Sequence, residues 1–207
     1  MSFLKSSVTY SQKEITNILL TNVLKMLENR GKIDPQNHIK NFNNLINQIK
    51  DELMFVLQTK EFKVGIRIIK YKVSSLTRID GINDLLTDDS FDLKLVIFKE
   101  MNQKTFKQII AFKNSQPFWE HELMINIIDN NYVPQHEVLS DEERIDFVKS
   151  YQITRDKLPK LYIYDPISRY YNMKIGTLVR IYRPSPNSGI AITYRVVVES
   201  PVQDLFS

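Results

Sequence analysis

The residues best placed to do chemistry are Asp51 and the run Glu61-Phe62-Lys63. On neighbouring strands, an Asp and a Glu-x-Lys can hold a divalent ion between two carboxylates while the lysine orients the attacking water. That is the hydrolytic arrangement of a restriction-type nuclease. The same spacing arises often by chance in a chain of which 25% is charged, and Glu61 falls at the end of its expected strand, where a surface turn is the natural reading. A metal site is less well supported. Glu120, His121 and Glu122 stand side by side, and in a strand they alternate between faces and do not converge on one ion. His38 and His136 lie far away in sequence, without a ligand spacing. The chain has no cysteine, no Gly-x-Ser-x-Gly nucleophile turn and, with 5 glycines, no Gly-x-x-x-x-Gly-Lys phosphate loop. No catalytic residue, metal or cofactor is expected.

Recognition chemistry is better represented. Between Leu158 and Val198 there is no histidine, cysteine or glutamate, yet Tyr162, Tyr164, Tyr170, Tyr171, Tyr182 and Tyr194 interleave with Arg169, Lys174, Arg180, Arg183 and Arg195. Residues 151–207 hold eight Lys+Arg against four Asp+Glu, which leaves 20 of each from the totals of 28 and 24 and assigns the whole +4 to this segment. Such asymmetry suggests an anionic partner, either nucleic acid or an acidic protein surface. One reading is base stacking with phosphate neutralisation on single strands. A second is ordinary packing, with Tyr162 and Tyr164 on one half-buried strand face, and a solvated basic face beside it. A third is a protein interface, where Tyr supplies area and Arg supplies bidentate bonds. Asp165-Pro166, Pro184-Ser185-Pro186 and Ser188-Gly189 stiffen the turns, and a preformed surface loses little entropy on docking.

Those side chains need elements to hold them. The 207 residues allow one large or two small domains, and no stretch approaches the ~18–20 apolar residues of a membrane span. An intracellular soluble chain without disulfides is expected. Ser11 and Glu14 form a capping box for a first helix carrying Ile15, Ile18, Leu19, Leu20, Val23, Met26 and Leu27, stopped at Gly31. Asp34-Pro35 opens a second, with Ile39, Phe42, Leu45, Ile46, Ile49 and Leu53 as its apolar stripe. Residues 53–58 read as a strand, 64–76 as a helix or a strand, 91–98 as a strand, 103–112 as a helix and 121–128 as a strand. This alternation predicts an α/β domain with a mixed sheet over 1–133. Asn130, Asn131 and Pro134 then break the pattern. Ser140 and Glu143 cap a short helix expected to bury Ile145 and Val148. The remainder of 134–207 reads as a small α+β domain: a strand at 161–164, a helical turn with Asp165 as cap and Pro166 first, a strand at 177–183, a turn at 184–189 and a strand at 190–198.

The ordered residues Leu158-Pro159, Asp165-Pro166, Arg169-Tyr170, Gly176, Val179, Ile181, Arg183-Pro184-Ser185 and Thr193-Tyr194-Arg195 resemble the C-terminal signature of a family of small RNA polymerase subunits. In archaea its member is the H subunit; in eukaryotes it is the small subunit shared by polymerases I, II and III. The stretch 118–143 is similar to the family's approach to that domain, and 63–70 looks like a helix of the eukaryotic N-terminal jaw. The resemblance implies a non-catalytic subunit. Its C-terminal assembly domain would dock on the largest polymerase subunit. Its jaw, nuclease-like without an active site, would meet downstream double-stranded DNA. It implies partner contacts at Arg169, Tyr170, Tyr171, Lys174, Arg183, Pro184, Ser185, Thr193, Tyr194 and Arg195, and turn roles for Asp165, Pro166, Gly176 and Gly189. Neither a membrane nor a small-molecule substrate is implied. Lys160, Ile175 and Ile190 depart from the family pattern, and the tail after Val198 runs past its usual end. With the Asn/Ile/Lys-rich composition, this drift suggests a copy carried by a large cytoplasmic DNA virus of the African swine fever type, found in host cytoplasm and virion; a cellular copy would be nuclear.

Overall fold

The structure is a computed structural model that describes residues 10–48, 54–151 and 157–206. The chain divides into two compact units, Met1–Ile125 and Asn126–Ser207. The division falls before the expected 133/134 boundary because Ile127, Ile128 and Val133 pack on the core of the second unit.

The first unit opens with α1 (Gln12–Asn29), where Ser11 and Glu14 form the reciprocal capping box. Gly31, at φ 65°, ends the helix; its N–H and that of Lys32 satisfy the carbonyls of Glu28 and Leu27. Asp34 caps a 3-10 turn, Pro35–Asn37, that leads into α2 (His38–Ile46). The tighter winding of that turn rotates α2 relative to an uninterrupted helix. Ile39 consequently faces solvent at 75% exposure, against expectation, while Asn41 and Leu45 are buried. Ile49 and Leu53 lie outside the described residues.

Four strands follow: β1 (Met54–Gln58), β2 (Lys63–Val73), β3 (Leu93–Met101) and β4 (Ser115–Trp119), in the order β1-β2-β3-β4. The β1–β2 pair is antiparallel, and β2–β3 and β3–β4 are parallel, crossing through α3 (Ile82–Thr87) and α4 (Gln103–Ile110). This is the mixed α/β sheet expected. Residues 63–70, likened above to a helix, are strand: Val64, Ile66, Ile68 and Ile69 are β-branched and buried in a central position. The expected strand at 121–128 is also replaced. The strand lies upstream at β4, an edge position that tolerates Pro117. Residues 120–123 turn into a short helix, α5 (Glu120–Leu123), because the Glu122 carboxylate accepts the Trp119 N–H at 2.9 Å.

The second unit is a four-stranded sheet in the order β5-β7-β8-β6, built from β5 (Gln135–Val138), β6 (Lys160–Tyr162), β7 (Leu178–Ser185) and β8 (Gly189–Val198). Sequence reasoning missed β5, which is four residues long and carries only one apolar residue, Val138. The β7–β8 hairpin runs antiparallel from Leu178↔Val196 to Ser185↔Gly189. On one face Val179, Ile181 and Val197 pack with Leu161, Met173 and with Ile167 of α7 (Pro166–Tyr170). On the other, Leu178 and Val196 pack with Leu139, Leu158 and with Phe147 of α6 (Asp141–Tyr151). Ser140 and Glu143 cap α6 as expected, but its buried residue is Phe147; Ile145 and Val148 are exposed. The helix approaches the sheet along the Phe147 side, setting that ring against Tyr194 at a centroid distance of 4.3 Å and a tilt of 41°, which turns the neighbouring positions outward.

Candidate docking surface

Strand alternation sorts the basic and aromatic residues into two groups. Residues opposite each other across β7–β8 share a face. Arg183 pairs with Ala191, Ile181 with Thr193 and Val179 with Arg195, so Arg183, Thr193 and Arg195 lie on one face. His136, opposite Ile181 on β5, joins them. Arg180, Tyr182 and Tyr194 lie on the other face.

The second group is internally satisfied. Arg180 reaches Glu137 Oε2 at 3.0 Å through Nη1 and Glu143 Oε1 at 3.4 Å through Nη2. The Tyr182 hydroxyl donates to the same Glu137 oxygen at 2.7 Å. The Arg180 guanidinium lies 5.8 Å from the Tyr194 ring centroid, and Phe147 and Tyr151 pack at a tilt against that ring. The Ser140 backbone N–H and hydroxyl hold Glu143 below the ordinary carboxylate pKa, with Arg180 adding to the effect. This network ties β5, β7 and α6 together. Tyr194, expected at a partner surface, is half-buried inside it. Sequence reasoning missed the network because its acids come from 137 and 143, outside the basic segment.

The first group shares its face with the buried Val179, Ile181 and Val197, and Arg183 is its exposed member. Arg183 is exposed and makes no side-chain hydrogen bond or ion pair among the described residues. Arg195 gives one guanidinium N–H to the Lys160 carbonyl at 3.2 Å. The Thr193 hydroxyl is buried without a hydrogen-bond partner among the described residues. His136 Nδ1 sits 2.6 Å from the Pro134 carbonyl. Burial pushes its pKa below the ordinary value, more than that carbonyl and Asp165 raise it, and Arg183 and Arg195 depress it further. Pro184 and Ser185 close β7 beside the turn, where Gly189 adopts φ 69°.

The α7 region carries the remaining expected residues. Asp165 Oδ1 accepts the Ile167 N–H at 2.9 Å, with Pro166 first in the helix. Tyr170 is only 5% exposed and meets Tyr171 edge-on at 5.2 Å, so it serves the unit's own packing; Tyr171 is half-buried. Arg169 lies partly exposed on the same helix. Lys174 is exposed in the following loop, where Gly176 takes φ 86° and donates its N–H to the Val197 carbonyl. Tyr162, assigned above to a half-buried face, is 56% exposed, because Leu161 is the inward residue of β6.

The hydrolytic candidates do not assemble among the described residues. Asp51 lies outside them. Glu61 is exposed in the β1–β2 turn. Lys63 donates to Ser90 Oγ at 2.7 Å and stands 4.2 Å from the centre of the Phe91 ring. Glu120, His121 and Glu122 share a helical turn, and no cluster of three metal-ligating side chains occurs among the described residues.

The C-terminal sheet thus carries an exposed cation, Arg183, on one face and an internally bonded arginine network on the other. Residues 125–197 match the family described as RNA polymerase Rpb5, C-terminal domain. A relative from Methanocaldococcus jannaschii, DNA-directed RNA polymerase subunit Rpo5, is 37% identical over 75 residues, covering 36% of this chain and 96% of that protein. DNA-directed RNA polymerase subunit 5 of Acanthamoeba polyphaga mimivirus is 28% identical over 194 residues, 91% of this chain and 94% of that one. Subunit RPABC1 of polymerases I, II and III from Caenorhabditis elegans is 30% identical over 149 residues, 70% of this chain and 66%, just under two thirds, of the relative. The chain belongs to the RNA polymerase subunit 5 family. The number 5, in place of the letter H expected above, is the designation carried by the matched family and by the archaeal and mimivirus relatives.

Proposed function

We propose that this chain is a non-catalytic subunit of a multisubunit DNA-directed RNA polymerase. The carrying observation is the match of residues 125–197 to the Rpb5 C-terminal domain, joined by a 75-residue similarity that spans 96% of the archaeal subunit. The C-terminal unit docks on the largest subunit through the face bearing Arg183, Thr193 and Arg195, with Arg169 and Lys174 beside it. Charge-assisted bonds from these cations to partner carboxylates and carbonyls hold the contact. The N-terminal unit acts as a jaw on downstream duplex, touching phosphates without reading sequence. Near-complete two-way coverage with the mimivirus subunit supports a virus-encoded polymerase working in host cytoplasm and packaged in the virion. A cellular copy would work in the nucleus. No observation favours an autonomous nucleic-acid binder or a nuclease.

Pull-down of the full chain from its native source, with partners identified by mass, tests this reading. Recovery of the largest polymerase subunit, reduced by Arg183→Glu, is expected. A chain that never travels with polymerase subunits overturns it.

A further inference from the structure

Most sheet edges among the described residues are blunted. The edge of β1 is clamped by Gln48, whose side chain accepts the Val56 N–H at 2.7 Å and donates to the Val56 carbonyl at 2.8 Å. The edge strand β4 contains Pro117. β5 is four residues long and carries Glu137, and β6 is three residues long and carries Lys160. Short strands, charge, proline and side-chain covers are the usual protections against unwanted pairing.

One edge lacks all of them. β6 pairs with β8 only at Val196–Val198. The Val196 N–H reaches the Pro159 carbonyl at 3.0 Å, and there the ladder stops, because Pro159 has no N–H to offer the next carbonyl. The Val197 N–H points the opposite way, to Thr177 at 2.9 Å. Alternation therefore aims the backbone groups of Ile192 and Tyr194 away from β7, toward a side where no described strand lies. The run Gly189–Tyr194 is free of charge and proline and rich in β-formers. Ile190 and Ile192 stand 62% and 51% exposed on one face of it. A segment of this kind, left bare, is a template for pairing.

We propose that residues Gly189–Tyr194 of β8 accept an extended strand from another polymerase subunit, completing the sheet by β-addition. This rests on the polymerase reading above. Backbone bonds to Ile192 and Tyr194 supply the register. The incoming strand carries apolar side chains over Ile190 and Ile192. On its alternate positions it carries acidic ones, toward the face where Arg183 and Arg195 lie.

Amide exchange of the full chain, free and within polymerase isolated from its natural source, tests the inference. The Ile192 and Tyr194 amides should exchange freely in the isolated chain and be protected in the assembly. Ile192→Pro removes the outward N–H together with the exposed apolar side chain, leaves the bonds to β7 in place, and should weaken association about ten-fold. Should that variant fold poorly, Ile192→Lys keeps the backbone and charges the edge, with the same expected loss. If the chain co-purifies with polymerase while both amides exchange as fast as in the free chain, strand addition is wrong and the polymerase reading stands. If the chain never co-purifies, the polymerase reading itself fails. Protection that grows with concentration of the isolated chain, alongside dimer formation, assigns the edge to a second copy and overturns the proposal.

Discussion

Arg180 and Arg183 are three residues apart on β7 and face opposite sides of the sheet: Arg180 is bonded within the unit, while Arg183 is exposed and is the one proposed above to meet a partner. Replacing each with alanine separates the two. Arg180 has 23% of its side chain exposed and loses two ion pairs, at 3.0 and 3.4 Å, to carboxylates that are 43% and 42% exposed. Partly exposed pairs of this kind contribute about 0.2–1 kcal/mol each. The guanidinium over the Tyr194 ring adds about 0.5–1 kcal/mol. The expected cost of Arg180→Ala is therefore about 2 kcal/mol. For a unit of this size that corresponds to a fall in Tm of about 8–16 °C. Arg183 is exposed without a side-chain partner among the described residues, so Arg183→Ala should stay within about 0.5 kcal/mol of the parent. It should instead reduce recovery of the polymerase partner.

Trp119 is the only tryptophan and lies in the first unit. Its fluorescence reports that unit's melting, while calorimetry of the full chain reports both. Arg180→Ala should lower a calorimetric transition that the fluorescence does not follow. Equal melting of the two variants would refute the division between an inward and an outward arginine. So would an Arg183→Ala chain that binds polymerase normally while Arg180→Ala, still folded, does not.

Gly65→Ala places a Cβ 2.7 Å from Leu85 Cδ1 and 3.2 Å from Phe91 Cε1, an overpacking worth about 1–3 kcal/mol. The loss should appear in the melting followed by Trp119, and Leu85→Val should recover part of it. His136 has a folded pKa below its ordinary 6.5, so the unfolded state binds the proton more readily. Stability should be full above about pH 6.5 and fall as pH drops through and below that value; a His136→Gln chain should show a flatter dependence of Tm on pH. Incubation of the pure protein with plasmid and Mg²⁺ or Mn²⁺ should leave the plasmid intact. Cleavage that disappears in Glu61→Ala would reinstate the hydrolytic reading.

Much of the fold was legible wherever a local signal fixed a local structure. The capping boxes at Ser11/Glu14 and Ser140/Glu143, the Asp165-Pro166 cap and the positive φ of Gly176 each need only a few neighbouring residues. Failures came where distant partners decide. Whether 63–70 is helix or strand depends on neighbours on both sides, and Glu122 bends 120–123 into a helix that its apolar pattern did not announce. Ile145 and Val148 are as apolar as core residues, but the approach of α6 onto Tyr194 selects Phe147. The basic and aromatic residues were legible as a segment, but not how the strands sort them between two faces. Nothing local tells Arg180, bound to Glu137 and Glu143, from Arg183.

The interleaving of arginine and tyrosine has a geometric consequence for the proposed docking. A strand sends successive side chains to opposite faces, so a mixed run is unmixed by folding. Here the aromatic rings and one arginine go to the α6 side, where two carboxylates neutralise the charge and the rings lock the helix down. The other arginines emerge on the opposite face, and their positions are fixed by a hairpin whose far side is already braced. As long as that far side stays folded, the face proposed for docking stays ordered. Weakening the Arg180 network should for that reason loosen the partner contact as well, but only through melting: below the transition, Arg180→Ala should bind as the parent does, and a binding defect that persists at low temperature would place Arg180 in the interface itself.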